Sequence, residues 1–203
     1  MTAKLAEGLV FGYCDVWAGC TQPSRWQVYN AELSRPVRQT NYEPEAMLVF
    51  GTDCNLLGLH GRMPGLSINH QSNGRGQPLS CSWKRVIARA GFEEGDWAML
   101  LQPWRRIPES AGVDRYPDIE NNLGRAGAVF LKRQSGSLVA LQLRHRLRGG
   151  SNAPGSAEMD SAFPITGDLK RQVEWFTGNG ESLIDHNFKQ TRVSLGVSLV
   201  EWR

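Results

Sequence analysis

The residues best suited to chemistry are His70 and Ser72, in a polar segment at residues 69–85. Because they are two residues apart, their side chains emerge on the same face of a β-strand. A histidine beside a serine suits nucleophilic catalysis, since the imidazole takes the hydroxyl proton as the oxygen attacks a carbonyl. Gly74 follows in a turn, where its backbone N–H can face a developing oxyanion. An ordinary polar strand end also contains such pairs, and spacing alone does not separate the two interpretations.

The elements that position these residues are predicted to be β-strands. Apolar and polar residues alternate at 66–69, 139–147 and 193–199, which places every second side chain on one face of a strand. Turn-forming residues separate such runs, as at 93–96 and 134–137. No composition break marks a second domain. The sequence therefore predicts a single all-β, antiparallel domain over residues 1–203.

The composition argues against several classes of protein. The chain has 203 residues and no uninterrupted apolar run of the roughly 20 residues that a membrane-spanning helix needs. Its net charge is only +3, so nucleic acid is not an expected partner. The four cysteines have no Cys-x-x-Cys spacing, so a zinc site is not expected. The opening residues lack an apolar core segment, and no signal peptide is expected in the chain.

The mean hydropathy of −0.39 would ordinarily indicate a soluble domain. A membrane β-barrel gives a similar average, because its lipid-facing residues are apolar and its interior residues are polar. An antiparallel sheet of a soluble protein also has one polar face. The alternation therefore leaves both a soluble β-protein and a transmembrane β-barrel open.

Four sequence blocks occur in the order and spacing of a known family. The central block is His-Gln-Ser-Asn-Gly-Arg at 70–75, continued by Pro-Leu-Ser at 78–80 and Ser-Trp at 82–83. The other blocks are at 38–44, 117–119 and 180–188. In these blocks the sequence resembles the outer membrane phospholipase A family of Gram-negative bacteria, and the resemblance covers about residues 17–202.

The resemblance implies a transmembrane barrel of about twelve antiparallel strands in the bacterial outer membrane, active as a calcium-dependent homodimer. Its substrate would be membrane phospholipid, hydrolysed at the acyl ester bonds. Ser72 would be the nucleophile and His70 the general base. The Gly74 N–H would form half of the oxyanion hole, completed by calcium-bound water.

The resemblance also implies a calcium site shared between two subunits. The ligands would be the Arg75 carbonyl and the Ser80 hydroxyl of one subunit, with the carbonyl of Ser34 of the partner subunit. Oxygen ligands of this kind suit Ca²⁺, and a shared ion would couple activity to association. Gln22 matches a polar position of the dimer interface, where amides pair across subunits.

The sequence departs from the family at the third member of the catalytic triad. The family has an asparagine directly after Trp83, and this chain has Lys84. An ammonium group has no acceptor with which to orient the histidine, and its charge disfavours an imidazolium. The chain is therefore expected to be either an active phospholipase or an impaired homologue with a lipid-binding or structural role. A soluble lipid-binding β-barrel is a third hypothesis.

The start of the chain also departs from the family pattern. It begins near the end of the family's first strand, so the first strand is expected to be incomplete and closure of the barrel is open to question.

Overall fold

The protein is built almost entirely of β-strands. The computed structural model describes residues 1–9, 11–26, 37–52, 54–56, 58–76, 79–110, 114, 116–147 and 155–198. Within these ranges the chain forms fourteen strands and one short helix. None of the helical structure described is long and apolar enough to cross a membrane.

The elements have the following bounds. The strands of the first half are β1 (Thr2–Leu9), β2 (Cys14–Thr21), β3 (Ser24–Trp26), β4 (Val37–Thr40), β5 (Glu43–Phe50), β6 (Cys54–Leu56), β7 (Leu59–Ser72), β8 (Ser82–Glu94) and β9 (Trp97–Ile107). Helix α1 (Ile119–Leu123) precedes β10 (Ala126–Gln134), β11 (Ser137–His145), β12 (Gly155–Thr166), β13 (Leu169–Gly178) and β14 (Gln190–Ser198).

Twelve of these strands form one antiparallel sheet, as the sequence predicts. Its order is β1-β2-β5-β7-β8-β9-β10-β11-β12-β13-β14, with the short β6 paired to β7. Strands β3 and β4 form a separate pair between β2 and β5 in the chain. Apart from β3, β4 and β6, which are inserted between β2 and β7, neighbours in the sheet follow one another in sequence, because antiparallel strands can be joined by short connections. No pairing links β1 to β14 among the described residues.

The hairpin turns lie where the sequence predicts them. Gly95, Gly136 and Gly167 connect successive strands with φ of +55°, +78° and +53°, the left-handed conformation that tight hairpins require. The predicted strand at 139–147 differs at its end, because β11 stops at His145. Leu147 has a φ of +57°, and its N–H donates to His145 Nδ1 at 3.1 Å, so the chain turns there instead of extending.

The distribution of apolar and polar side chains is the reverse of that in a soluble sheet. On β14, Val193, Leu195 and Val197 are 67%, 82% and 69% exposed. On β7, the buried polar residues Ser67 and Asn69 alternate with the exposed Leu66 and Ile68. A sheet that faces lipid on one side and encloses a polar interior has this arrangement.

A small apolar cluster lies at the end of the sheet where β8 begins. Its buried members are Cys81, Trp83, Ile119, Leu123 and Leu183, with Trp104 and Tyr116 packed against them. The cluster joins α1 and the segment before β14 to the start of β8. It therefore supports the end of the β7–β8 hairpin, where His70 and Ser72 lie.

Candidate active site

The last residues of β7 carry the predicted nucleophile and base. In the β7–β8 pairing, His70 lies opposite Lys84 and Ser72 opposite Ser82. On the other side, Ser72 exchanges two backbone hydrogen bonds with Tyr42, at 2.7 and 3.0 Å. Ser72 is thus held by backbone contacts on both sides at the point where the strand ends.

His70 and Ser72 lie on the outer face of the sheet. They share this face with Leu66 and Ile68, which are 48% and 59% exposed. Both residues are partly buried. The structure therefore places the predicted nucleophile and base beside exposed apolar side chains.

The opposite face of this hairpin is held by a polar network. Gln71 accepts a hydrogen bond from the Trp83 indole N–H at 2.7 Å and donates to Glu43. The Asn69 side-chain oxygen accepts from the Arg85 guanidinium at 2.6 and 3.1 Å. Because side chains alternate along β7, fixing residues 69 and 71 inside also fixes the direction of His70 and Ser72 outside.

The loop after β7 is held by one buried side chain, that of Asn73. Its oxygen accepts N–H bonds from Cys81 at 2.9 Å and Arg75 at 3.3 Å, and its amide donates to the Leu79 carbonyl at 2.7 Å. Its backbone N–H donates to the Cys81 carbonyl at 3.0 Å. Asn73 therefore ties together the two ends of the loop that carries Gly74, Arg75 and Ser80.

Gly74 occupies a position that only glycine can occupy without strain. Its φ is +61°, and a Cβ atom there would lie 2.8 Å from Cε2 of Tyr42. The absence of a side chain therefore lets the loop turn closely over Tyr42. This tight turn directly follows Ser72 and is compatible with the predicted use of the Gly74 N–H.

Lys84 does not contact the imidazole through a hydrogen bond. Its Nζ lies 3.1 Å from Oε1 of Glu109, which follows the end of β9. The His70 Nδ1 atom is buried and has no hydrogen-bond partner among the described residues. The position at which the resemblance implies an orienting asparagine is therefore occupied by a cation whose partner lies just after β9.

The predicted calcium ligands are only partly described. Arg75 and Ser80 lie on the loop tied by Asn73, whereas Ser34 lies outside the described residues. Within the described part of the chain, no group of three His, Cys, Asp or Glu residues could hold a metal. The carbonyl of Arg75 and the hydroxyl of Ser80 are hard oxygen donors that suit Ca²⁺, which takes six to eight such ligands. Water and a second subunit would have to supply the rest.

The structure also describes Gln22 and Cys81, two further residues from the sequence analysis above. Gln22 is exposed, in the link between β2 and β3. Cys81 is buried beside the loop, and its thiol lies 3.6 Å from the Leu183 carbonyl. Burial raises the pKa of Cys81 to about 11, so the thiol stays protonated near neutral pH and acts as a small packing residue.

Sequence reasoning missed the roles of Tyr42, Asn73 and Glu109 around this site. Asn73 follows Ser72 in an Asn-Gly turn, and this dipeptide is a sequence signal for a side chain that bonds the backbone of its own turn. Tyr42 lies in the block at 38–44, but neither its contacts nor those of Glu109 could be predicted locally, because they depend on which strands pair and in which register.

Comparisons with known proteins identify the family of the chain. The sequence profile of the family described as Phospholipase A1 matches residues 1–199. Phospholipase A1 of Escherichia coli strain K12 is 37% identical over 182 residues, which make up 90% of this chain and 61% of that protein. The chain therefore spans about three fifths of the length of the curated relatives that it matches.

Solved structures agree with the sequence comparison. The outer membrane phospholipase A from Escherichia coli matches with a TM-score of 0.88 and 34% identity, over 97% of this chain and 79% of that chain. The dimer of the Salmonella typhi outer membrane phospholipase with bound calcium gives the same TM-score of 0.88 and 34% identity, over 97% and 74% of the two chains. The fold match confirms the predicted antiparallel barrel fold. With a family match that extends over nearly its whole length, this chain belongs to the phospholipase A1 family.

Proposed function

We propose that this chain is a calcium-dependent phospholipase of the bacterial outer membrane, which hydrolyses acyl ester bonds of glycerophospholipids as a homodimer. The observation that carries the proposal is the placement of His70 and Ser72 on the outer face of β7, beside Leu66 and Ile68. A lipid in the surrounding membrane can approach this face directly.

In the proposed reaction, the chain supplies a nucleophile and a base. His70 takes the proton from the Ser72 hydroxyl as its oxygen attacks the ester carbonyl, and it gives this proton to the lysophospholipid oxygen as the ester bond breaks, which leaves an acyl-serine. The same imidazole then takes a proton from the water that attacks the acyl-serine and returns it to the Ser72 oxygen as the fatty acid leaves. The Gly74 N–H donates to the carbonyl oxygen as negative charge develops on it.

The loop after β7 offers oxygen ligands that suit the proposed calcium ion. The Arg75 carbonyl and the Ser80 hydroxyl would hold it, together with Ser34 of the partner subunit. Bound there, the ion would supply positive charge near the developing oxyanion. The Salmonella typhi relative is a dimer with bound calcium, which supports both parts of the proposal.

The experiment is a fatty-acid release assay on the purified protein in detergent micelles with phospholipid. We expect release in the presence of Ca²⁺, loss of release with a calcium chelator, and recovery when Ca²⁺ is restored. The variant Ser72→Ala should lower release by about 10³-fold or more, because it removes the hydroxyl that takes the acyl group.

Ser72→Ala needs a matched control that removes a hydroxyl from the same face of the sheet. Ser161 suits this purpose, because it lies in β12 opposite the exposed Val139 and Val173. Ser161→Ala should retain the activity of the parent protein. Equal activity of Ser72→Ala and the parent would show that the nucleophile is wrongly assigned.

A second candidate function is a lipid-binding or structural barrel with little turnover. The specific observation in its favour is the buried His70 Nδ1 atom, which has no hydrogen-bond partner among the described residues. An imidazole that is not oriented is a poor general base. The parent protein separates the two candidates: Ca²⁺-dependent release that is lost in Ser72→Ala supports the phospholipase, whereas release that appears only in Lys84→Asn supports the second candidate.

A further inference from the structure

Lys84 is 14 residues after His70 in the sequence, but the two are paired neighbours in the sheet. It lies directly opposite His70 in the β7–β8 pairing and opposite Ile107 in the β8–β9 pairing. Opposed residues of antiparallel strands have Cβ atoms about 4.5–5.5 Å apart on the same face. A lysine side chain there can turn its ammonium toward the imidazole or toward β9.

The structure places the ammonium on the β9 side. Lys84 Nζ lies 3.1 Å from Oε1 of Glu109, and the Glu109 side chain is only 16% exposed while that of Lys84 is 48% exposed. No hydrogen bond connects Lys84 to His70, whose Nδ1 atom has no partner among the described residues. The carboxylate therefore determines which way the lysine turns.

The other cation near Glu109 is Arg106, and it does not compete with Lys84 for the carboxylate. Glu109 acts on Arg106 only through its charge, because the Arg106 guanidinium is paired with Asp114. Lys84 is thus the cation that Glu109 contacts directly. Position 84, where the family has an asparagine, is thus occupied by one half of an ion pair that makes no hydrogen bond to His70.

The geometry points to Glu109 as a positioning residue for His70. By holding the Lys84 ammonium against β9, Glu109 keeps a positive charge away from the imidazole and cancels part of its field. His70 becomes positively charged when it takes the Ser72 proton, and a nearby free ammonium would oppose that step. This inference rests on the proposed esterase function, and it accounts for how a Ser72–His70 pair can work beside a lysine.

The test is a double-mutant cycle on the purified full chain, measured by Ca²⁺-dependent fatty-acid release. Glu109→Gln keeps the size of the side chain and removes its charge, and we expect kcat to fall by at least about threefold with KM nearly unchanged. In the Lys84→Asn background, the same Glu109→Gln change should alter kcat less than twofold. Glu109→Asp, which keeps the charge, should restore most of the lost kcat.

Two controls separate positioning from a merely structural effect. Glu93 lies 3.8 Å from Arg62 at the opposite end of the same hairpin, so Glu93→Gln removes a comparable charge pair and should leave kcat unchanged. The unfolding temperature of Glu109→Gln should stay close to that of the parent, since a partly exposed ion pair contributes little to stability. An equal loss of kcat from Glu109→Gln with and without Lys84 would overturn the inference.

A spectroscopic measurement tests the inference even if the protein hydrolyses no lipid. The ¹⁵N resonances of the His70 ring report its protonation and hydrogen bonding, and the His70→Gln variant assigns them among the four histidines of the chain. At one fixed pH, Glu109→Gln should shift these resonances in the Lys84 protein and leave them unchanged in Lys84→Asn. Unshifted resonances in the Lys84 protein would overturn the role of Glu109. Absence of any Ser72-dependent hydrolysis, in contrast, would overturn the proposed function.

Discussion

At the scale of single residues, the imidazole of His70 is the point on which the proposed activity depends. Its Nδ1 atom is buried and unpaired among the described residues, while the residue opposite it, Lys84, donates to Glu109 instead. A buried nitrogen with no partner leaves the ring orientation and tautomer unspecified. We therefore expect position 84 to affect the rate of the proposed reaction and not its chemical course.

Lys84→Asn should raise turnover. An asparagine side-chain oxygen can accept the Nδ1–H bond and hold the ring with Nε2 toward Ser72. We expect kcat to rise at least about tenfold, within the roughly 10⁴-fold range that loss of the orienting group costs in serine proteases. The measurement is the initial rate of fatty-acid release at saturating Ca²⁺.

The matched control for this substitution is Lys132→Asn. Lys132 lies in β10, with its ammonium 4.8 Å from the centre of the Trp97 ring, away from the hairpin that carries His70. This variant should leave the rate unchanged. If Lys84→Asn turns over no faster than the parent, orientation of His70 does not limit the reaction.

At the scale of elements, the β7–β8 hairpin and its loop act as one unit. The polar network inside the hairpin fixes the direction of His70 and Ser72, and the Asn73 side chain fixes the loop that carries Gly74. Each hydrogen bond of the Asn73 side chain satisfies a backbone group of the loop or of its end, at Arg75, Leu79 and Cys81. The conformation of the loop therefore depends on the side-chain amide of Asn73.

Asn73→Ala should disorder the loop while the sheet remains. A buried backbone group that loses its partner costs about 1–3 kcal/mol, so the free energy of unfolding should fall by about 2 kcal/mol or more. Turnover should fall at least about tenfold, and the Ca²⁺ concentration for half-maximal activity should rise. Fatty-acid release over a range of Ca²⁺ concentrations measures both effects, and circular dichroism shows whether the strands persist.

Asn55→Ala provides a comparison at a different turn. The Asn55 side chain accepts the Gly58 N–H at 3.0 Å in an exposed turn before β7. Its loss should change neither turnover nor the response to Ca²⁺. Identical behaviour of the Asn73 and Asn55 variants would rule out the special role of Asn73.

At the scale of the whole molecule, the exposed aliphatic surface is the dominant feature. Leucine and valine side chains line the outer face of β14, while Arg89 and Glu45 pair at 2.6 Å on the inner side. In water this arrangement would be unfavourable, since apolar surface is exposed and charges are partly buried. In a bilayer, the same apolar outer surface contacts lipid chains instead of water, which is favourable.

Leu195→Arg should separate a membrane protein from a soluble one. Leu195 is 82% exposed and lies near the middle of β14, opposite Val173. An arginine facing lipid near the bilayer midplane costs about 2–4 kcal/mol, whereas an exposed substitution on a soluble protein changes stability by about 0.5 kcal/mol or less. We therefore expect a marked loss of folding into phospholipid vesicles, measured by the folded fraction after refolding.

Leu195→Met is the control for this substitution, because it keeps the surface apolar. It should fold into vesicles as well as the parent protein does. Vesicle folding of Leu195→Arg at the parent's level would contradict the assignment of β14 to a lipid-facing surface.

The fold was more predictable than the site. Period-two alternation and glycine-containing turns such as 134–137 are local, so they predict β11 and its hairpin directly from neighbouring residues. The same local rule placed His70 and Ser72 on one face. The Glu109 contact with Lys84 was not predictable, because it requires the register of β8 against β9. The single-domain boundary at 1–203 stays a prediction.

By itself, the sequence determined the strand character of the chain and which residues share one face of a strand, and it predicts His70 and Ser72 as the catalytic pair. These properties follow from residue type and from the alternation of side chains along one strand. The tertiary structure alone decided that the polar face is the interior, that Asn73 closes the site loop, and that Lys84 turns to Glu109. The physical reason is that burial and ion pairing arise between strands, where register rather than sequence neighbourhood brings groups together.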